Sequence, residues 1–338
     1  MTDAALHATP RSVRRNRVAW PHNGAMRAVW KVFLSTIGLL LALVGCGDQH
    51  AGRPTPGSGS SGDFRGPIDI GNGRHLYLEC RGKGSPTVIL ESGYHNSSDP
   101  WNQSEADAPA VGPAVLPALT GTHRVCAYDR PGTLRNSDPP TLGDRSSPVA
   151  MPRTAQDVVG DLHALLAAAH LPGPYILVGH SLGGLFTRLY AQSYPDQVCA
   201  EVFVDAFGVE IPSLLGSDWP AYRQALDEPL PQFTDSSSFE VIDIDKSVAQ
   251  VADAPVFPPI PTVVLTRTEP FVIPPSVPAE QGARLEEAWR EAASDLVGLR
   301  PQTPHLIATG SDHFIQIHQP DLVVAAVALA TQRAVPQG

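Results

Sequence analysis

A serine hydroxyl attacks a carbonyl only when a base takes its proton and the backbone presents it to the substrate. Gly179-His180-Ser181-Leu182-Gly183 suits the second requirement. Preceded by Tyr175-Ile176-Leu177-Val178, it reads as strand, sharp turn, then helix. Such a turn crowds the residues two before and two after the serine, and glycine at both places relieves the crowding. The helix that begins here aims backbone N–H groups, and the positive end of its dipole, at a developing oxyanion. The plain alternative is a glycine-rich helix start whose serine is only a cap.

Other elements must position this turn. The apolar residues 175–178, entered from Gly173-Pro174, predict a buried parallel strand. Leu182, Leu185, Phe186, Leu189 and Tyr190 recur on one helical face, and Pro195 follows its end. Upstream, 66–70 and 74–80 about Asn72-Gly73 predict a β-hairpin, with further strands at 86–91 and 124–129. Thr154 with Asp157 predicts a capping box for a helix whose inner face holds Val158, Leu162, Leu165, Leu166 and Ala169. Downstream, strands are predicted at 202–205, 262–266 and 306–308, and a closing helix at 322–330. Strands alternating with helices imply a mostly parallel sheet covered on both faces.

The 338 residues, 42% of them hydrophobic, suffice for one large α/β domain. Formal net charge is −10, and residues 1–45 hold six basic residues against one acid, leaving 18 basic and 33 acidic residues in the rest. So acidic a body argues against a nucleic-acid partner. There is no internal repeat, heptad run or Cys/His cluster at zinc spacing, and acyl transfer by a serine would require no metal or organic cofactor. Arg27 and Lys31 precede an apolar run that ends at Leu43-Val44-Gly45-Cys46, marking 1–45 as a targeting segment whose natural start could be Met26. The Leu-x-Gly-Cys ending resembles the bacterial lipoprotein signal, which implies lipidation of Cys46. An uncleaved anchor and an ordinary secretory signal are the alternatives. Residues 46–63, rich in Gly, Ser and Pro, read as a flexible tether.

Four stretches resemble, in order, those of the α/β-hydrolases: Ser92-Gly93-Tyr94, Tyr128-Asp129-Arg130-Pro131-Gly132, Gly179-His180-Ser181-Leu182-Gly183-Gly184 and Asp312-His313-Phe314. The resemblance covers about residues 66–332 and is closest to the esterase-like members. It implies an eight-stranded, mostly parallel sheet with helices on both faces, spanning 64–338. A cap insertion at about 207–260 would form a lid or a packed loop. His313, on a loop before the last helix, would be the base rather than His318, and Asp312 would be structural. The acid is Asp205, after the strand that follows the nucleophile helix, or Glu269, after the next strand. The Gly-x-x-Asp usual at the second place is missing here. A helix cap for Asp205 and a solvated loop charge for Glu269 are the non-catalytic readings. Oxyanion donors would be the N–H groups of Leu182 and Tyr94. Ser92 replaces the more common His, which is tolerable because only backbone is needed there. Asp129 and Arg130 would pin the adjoining loop or form a surface ion pair. Cys80 and Cys126 would lie on neighbouring strands, predicting a disulfide with Cys199 free; three buried thiols are the alternative.

These features together predict a serine hydrolase, carboxylesterase- or lipase-like, working through an acyl-enzyme on a small-molecule ester or lipid. It would be extracytoplasmic and membrane-bound through the lipid on Cys46. An amidase, peptidase or thioesterase is compatible with the same fold, as is a non-catalytic binding lipoprotein. A haloalkane dehalogenase needs a carboxylate at the turn, and Ser181 excludes it.

Overall fold

Residues 62–105, 112–273 and 277–334 are described by a computed structural model of the chain. The predicted targeting segment 1–45, Cys46 and nearly all of the predicted tether 46–63 lie outside the described residues. A hairpin comes first, strands β1 (Phe64–Gly71) and β2 (Arg74–Arg81). Its turn residues Asn72 and Gly73 both have positive φ, 55° and 71°, the twist that suits a two-residue connection. Then follow β3 (Thr87–Glu91), helix α1 (Val115–Leu119) and β4 (Val125–Tyr128). A minor hairpin, β5 (Leu134–Arg135) and β6 (Thr141–Leu142), leads to α2 (Ala155–Ala168), β7 (Tyr175–His180), α3 (Leu182–Ser193) and β8 (Val198–Val204). The insertion after β8 carries α4 (Ile211–Leu215), α5 (Trp219–Asp227) and α6 (Ile244–Asp253). The chain closes with β9 (Thr262–Arg267), α7 (Ala279–Gly298), β10 (His305–Ala308), α8 (Ile315–His318) and α9 (Pro320–Ala334).

The main sheet has eight strands in the order β1-β2-β4-β3-β7-β8-β9-β10. Only β2 runs against its neighbours β1 and β4, and every other pairing is parallel. This is the mostly parallel α/β sheet that the sequence predicts. Because both faces are covered, successive residues of one strand are all apolar, yet they serve two cores. Val88 and Leu90, Ile176 and Val178, Val202 and Val204, and Val263 and Leu265 pack with α1 and α9. Ile89, Leu177, Phe203 and Val264 are buried on the opposite face, where α2 and α3 lie. Thr154 caps α2 reciprocally: its hydroxyl accepts from Asp157 N, and Asp157 Oδ2 accepts from Thr154 N at 2.8 Å.

Two features depart from the sequence reading. Strand β8 starts at Val198, earlier than the predicted 202, because Glu201 interrupts the apolar run although it is fully buried in the sheet. Helix α7 is an addition. Its buried positions Leu285, Ala288, Trp289, Ala292, Ala293 and Leu296 keep helical spacing across a segment otherwise rich in charge. Among the described residues no helix is long and apolar enough to cross a membrane.

Cys80 and Cys126 face each other across β2 and β4 with Cα atoms 4.1 Å apart and are joined by a disulfide, while Cys199 is a free thiol. The bridge closes a loop of 46 residues, for which chain entropy gives a contribution of about 4 kcal/mol. Replacing both cysteines (Cys80→Ala with Cys126→Ala) is expected to lower the urea midpoint by an amount approaching that figure, and reductant should have the same effect on the parent. An unchanged midpoint would show that the bridge does not restrain the unfolded chain.

Candidate active site

Ser181 leaves β7 with φ 54° and ψ −129°, a conformation that a residue with a β-carbon disfavours by about 1–3 kcal/mol. Its surroundings over-determine it. Ser181 N donates to Val204 O at 3.1 Å, and Ser181 O accepts from Gly184 N and Phe207 N, both at 2.9 Å. The flanking glycines are required by close approach. A β-carbon at Gly179 would stand 2.5 Å from Thr187 Oγ1, and one at Gly183 would stand 2.6 Å from Ser92 O.

Asp205 follows β8 directly, as Ser181 follows β7, and the two strand ends are in register through the pair His180–Val204. Its carboxylate is buried. Asp205 Oδ2 accepts from His313 Nδ1 at 2.6 Å and from Arg267 Nε at 3.0 Å. The proton on Nδ1 leaves His313 Nε2 with the free lone pair, the tautomer a general base needs. The His313 ring is set among aromatic rings, with centroids 5.2 Å from Phe271, 5.5 Å from Trp289 and 5.6 Å from Phe314. The Ser181 hydroxyl makes no hydrogen bond to His313; contacts of this kind commonly tighten only once substrate is bound.

The other sequence candidates fall into place around this pair. Glu269 is exposed and does not reach His313; what it contributes is backbone, its N–H to Ser311 O at 3.0 Å and its carbonyl to Arg267 Nη1 at 2.5 Å. His318 is held between Asp312 and Glu105, each at 3.0 Å, and the bond to Asp312 leads in raising its pKa. The turn after β3 stands against the serine: a β-carbon on Gly93 would lie 3.0 Å from Ser181 Cβ. Among the described residues, neither Tyr94 N–H nor Leu182 N–H has a hydrogen-bond partner. Asp129 and Arg130 hold the loop after β3, Asp129 accepting from Ser98 N and Arg130 donating to Ser92 O and Gly93 O, each at 2.8 Å, and the alternative of a surface ion pair does not hold. Both are buried, Asp129 pairing with Arg145 at 2.5 Å and Arg130 with Glu91 at 2.6 Å and Glu240 at 2.7 Å.

Three contributors carry no clear signal in the sequence. Arg267 shares the Asp205 carboxylate, spans to Glu286 at 3.0 Å and stacks over Phe271 at 3.8 Å. Trp289 comes from α7. His180, inside the serine motif itself, donates from Nε2 to His313 O at 2.9 Å and so pins the loop that carries His313. Burial, reinforced by the neighbouring His313, pushes the His180 pKa down to about 3. It is therefore a neutral donor.

A family model described as the alpha/beta hydrolase fold matches residues 86–336. The chain belongs to the α/β-hydrolase family. This α/β-hydrolase is 26% identical over 266 residues to the Bacillus subtilis protein YqjL, covering 76% of this chain and 89% of YqjL. It is 31% identical over 153 residues to an uncharacterized protein of Schizosaccharomyces pombe, covering 40% of this chain and spanning 26% of that relative's length. A thermophilic esterase from Thermogutta terrifontis is similar in fold, with a TM-score of 0.50 at 17% identity, covering 80% of this chain and 99% of that one. Family membership supports a hydrolase.

The depressed His180 pKa has a consequence for stability. In the unfolded chain His180 takes up a proton near its ordinary 6.5, whereas in the folded chain it does so only near 3. The unfolded state therefore binds more protons in that window, and His180's contribution is complete above pH 6.5 and lost as pH falls toward 3. The slope from one such group is at most about 1.4 kcal/mol per pH unit. Thermal unfolding followed from pH 7 to pH 4 should show the loss, and His180→Gln, which keeps a donor for His313 O but does not titrate, should flatten it. An equally steep profile in the variant would assign the acid lability elsewhere.

Proposed function

We propose that this α/β-hydrolase is a serine hydrolase that cleaves carboxylic esters through an acyl-enzyme. The observation that carries the reading is the 2.6 Å bond from His313 Nδ1 to Asp205 Oδ2, made beside a serine held at positive φ. Ser181 Oγ attacks the acyl carbon, and its proton passes to His313 Nε2. The oxyanion so formed accepts from the N–H groups of Tyr94 and Leu182. The bond to the leaving alcohol then breaks, and His313 returns the proton to that oxygen. Water, deprotonated by the same nitrogen, adds to the acyl carbon and releases the acid and free Ser181. These steps call on no metal or organic cofactor.

Esters are the favoured class because an alkoxide leaves with less help than an amide nitrogen does. Amides, peptides and thioesters are the other substrates the same machinery could take. Phe271 and Trp289 beside His313 favour an apolar substituent. The proposal extends to location: outside the cytoplasm, membrane-bound through lipid on Cys46, with 46–63 as spacer. Leu43-Val44-Gly45-Cys46 supports the anchor, and the Cys80–Cys126 disulfide supports an oxidising compartment.

The test is reaction of the full-length protein with a fluorophosphonate probe, alongside hydrolysis of p-nitrophenyl esters. Labelling should vanish in Ser181→Ala and fall at least about a thousandfold in rate in His313→Ala. Asp205→Asn should lower ester turnover by about 10³–10⁴-fold through the wrong histidine tautomer, while Glu269→Gln stays near the parent. A folded parent that neither labels nor turns over would discard this reading in favour of a binding lipoprotein on a hydrolase scaffold.

A further inference from the structure

An oxyanion donor accelerates a reaction only if it is already in place when the charge develops. Tyr94 N–H lies on a turn, and a turn is not rigid by itself. Leu134 N, donating to His95 O at 2.7 Å, and Asn96 Nδ2, donating to Tyr94 O at 2.8 Å, hold part of this one, and the insertion between β8 and β9 supplies much of the rest. On the N-terminal side of Tyr94, Arg130 Nη1 donates to Ser92 O and Nη2 to Gly93 O, both at 2.8 Å. Arg130 is buried, and its Nε donates to Glu240 Oε1 at 2.7 Å. On the C-terminal side, His95 N donates to Glu240 Oε2 at 2.7 Å. One carboxylate from the insertion thus grips both flanks of Tyr94, directly at His95 and through Arg130 at Ser92 and Gly93.

The side chains of the turn are held by the same insertion. Tyr94 OH donates to Asp227 Oδ1 at 2.6 Å and accepts from Ile242 N at 2.9 Å. His95 Nε2 donates to Leu226 O at 2.8 Å, and its ring packs on Phe239 with centroids 4.5 Å apart. A segment serving only as a cover would not need its one buried carboxylate here directed at the backbone on either side of a single N–H.

We infer that Glu240 is a positioning residue for the oxyanion donor Tyr94 N–H, acting through Arg130 and the backbone of His95, so that the insertion completes the oxyanion hole. The inference rests on the serine-hydrolase reading above. It separates from a lid role by kinetics. Loss of an interaction realised only in the transition state lowers kcat and leaves KM, whereas loss of a substrate-covering contact raises KM.

The experiment measures kcat and KM for a p-nitrophenyl ester with the full chain, Glu240→Gln and Tyr94→Phe, each checked for folding by its thermal transition. Glu240→Gln removes the charge that pairs with Arg130 and puts an NH2 group against either Arg130 Nε or His95 N, both of which donate, so kcat should fall about 30- to 100-fold with KM within about twofold. Tyr94→Phe releases Asp227 and Ile242 but keeps the Glu240 grip, and kcat should fall about three- to tenfold, again with little change in KM. Should Glu240→Gln fail to fold, Glu240→Asp, which keeps the charge but shortens its reach to His95 N and Arg130, is measured in its place and is held to the same fall in kcat at near-constant KM. Folded variants with the parental kcat, or with raised KM and unchanged kcat, would overturn the inference while leaving the serine-hydrolase reading intact. A parent that neither hydrolyses ester nor reacts with the fluorophosphonate removes both.

Discussion

Ser181 occupies a backbone conformation that an isolated chain would leave, and much of the molecule can be understood as preventing it from doing so. Its N–H is tied to Val204 and its carbonyl to Gly184 and Phe207. Two of those three partners flank the end of β8, so β8 must lie beside β7 and finish at the same height. That requirement puts Asp205, the residue after Val204, next to the serine's own strand end. Asp205 also has positive φ, 40°, a second strained residue at the mouth of the same pair of strands. Chemistry gathers at the carboxyl ends of parallel strands because the chain must turn there, and the turns of neighbouring strands converge.

Buried charge provides the remaining rigidity. Two guanidinium groups are removed from water beside the site, and each survives because it is paired and hydrogen-bonded. Arg267 faces Asp205 and Glu286, tying β9 and α7 to the carboxylate that His313 uses. Arg130 faces Glu91 and Glu240. Burial works against its charge, and the two carboxylates more than offset that, leaving its pKa above the ordinary value. Burial leads in raising the pKa of Glu91, which also accepts from Tyr128 OH. The Arg130–Glu240 pair joins the strand-end loops to the insertion, and Arg267 joins the sheet to α7. Exposed pairs such as Arg290–Glu287, screened by solvent, bear no such structural duty.

Features carried by a few consecutive residues were the ones legible in the sequence. The glycines around Ser181, the Asn72-Gly73 turn and the Thr154–Asp157 capping box each express a local steric or hydrogen-bonding rule. Legibility failed where burial contradicts residue type. Glu201 hides the first half of β8 because a carboxyl inside a parallel strand looks like a boundary. Arg130 looks like a surface cation because nothing near it in the chain shows that Glu91 and Glu240 will meet it. Helix α7 shows its buried stripe through a small-residue and charged background that dilutes the pattern.

The sequence by itself determined the turn that presents Ser181, the alternation of strands and helices around it, and the two acids that could serve His313. Only the tertiary structure shows which of those carboxylates touches His313. Asp205 and Glu269 stand 108 and 44 residues from His313 along the chain, so neither distance predicts contact. The sheet places β8 beside β7 and buries Asp205 under the imidazole, while the loop after β9 leaves the Glu269 side chain in solvent. The same holds for Tyr94, whose flanks are gripped by a carboxylate 146 positions further on. Local rules act through bonded neighbours and can be read from their order. A buried ion pair is selected by which surfaces the sheet brings together, and that is a property of the folded chain alone.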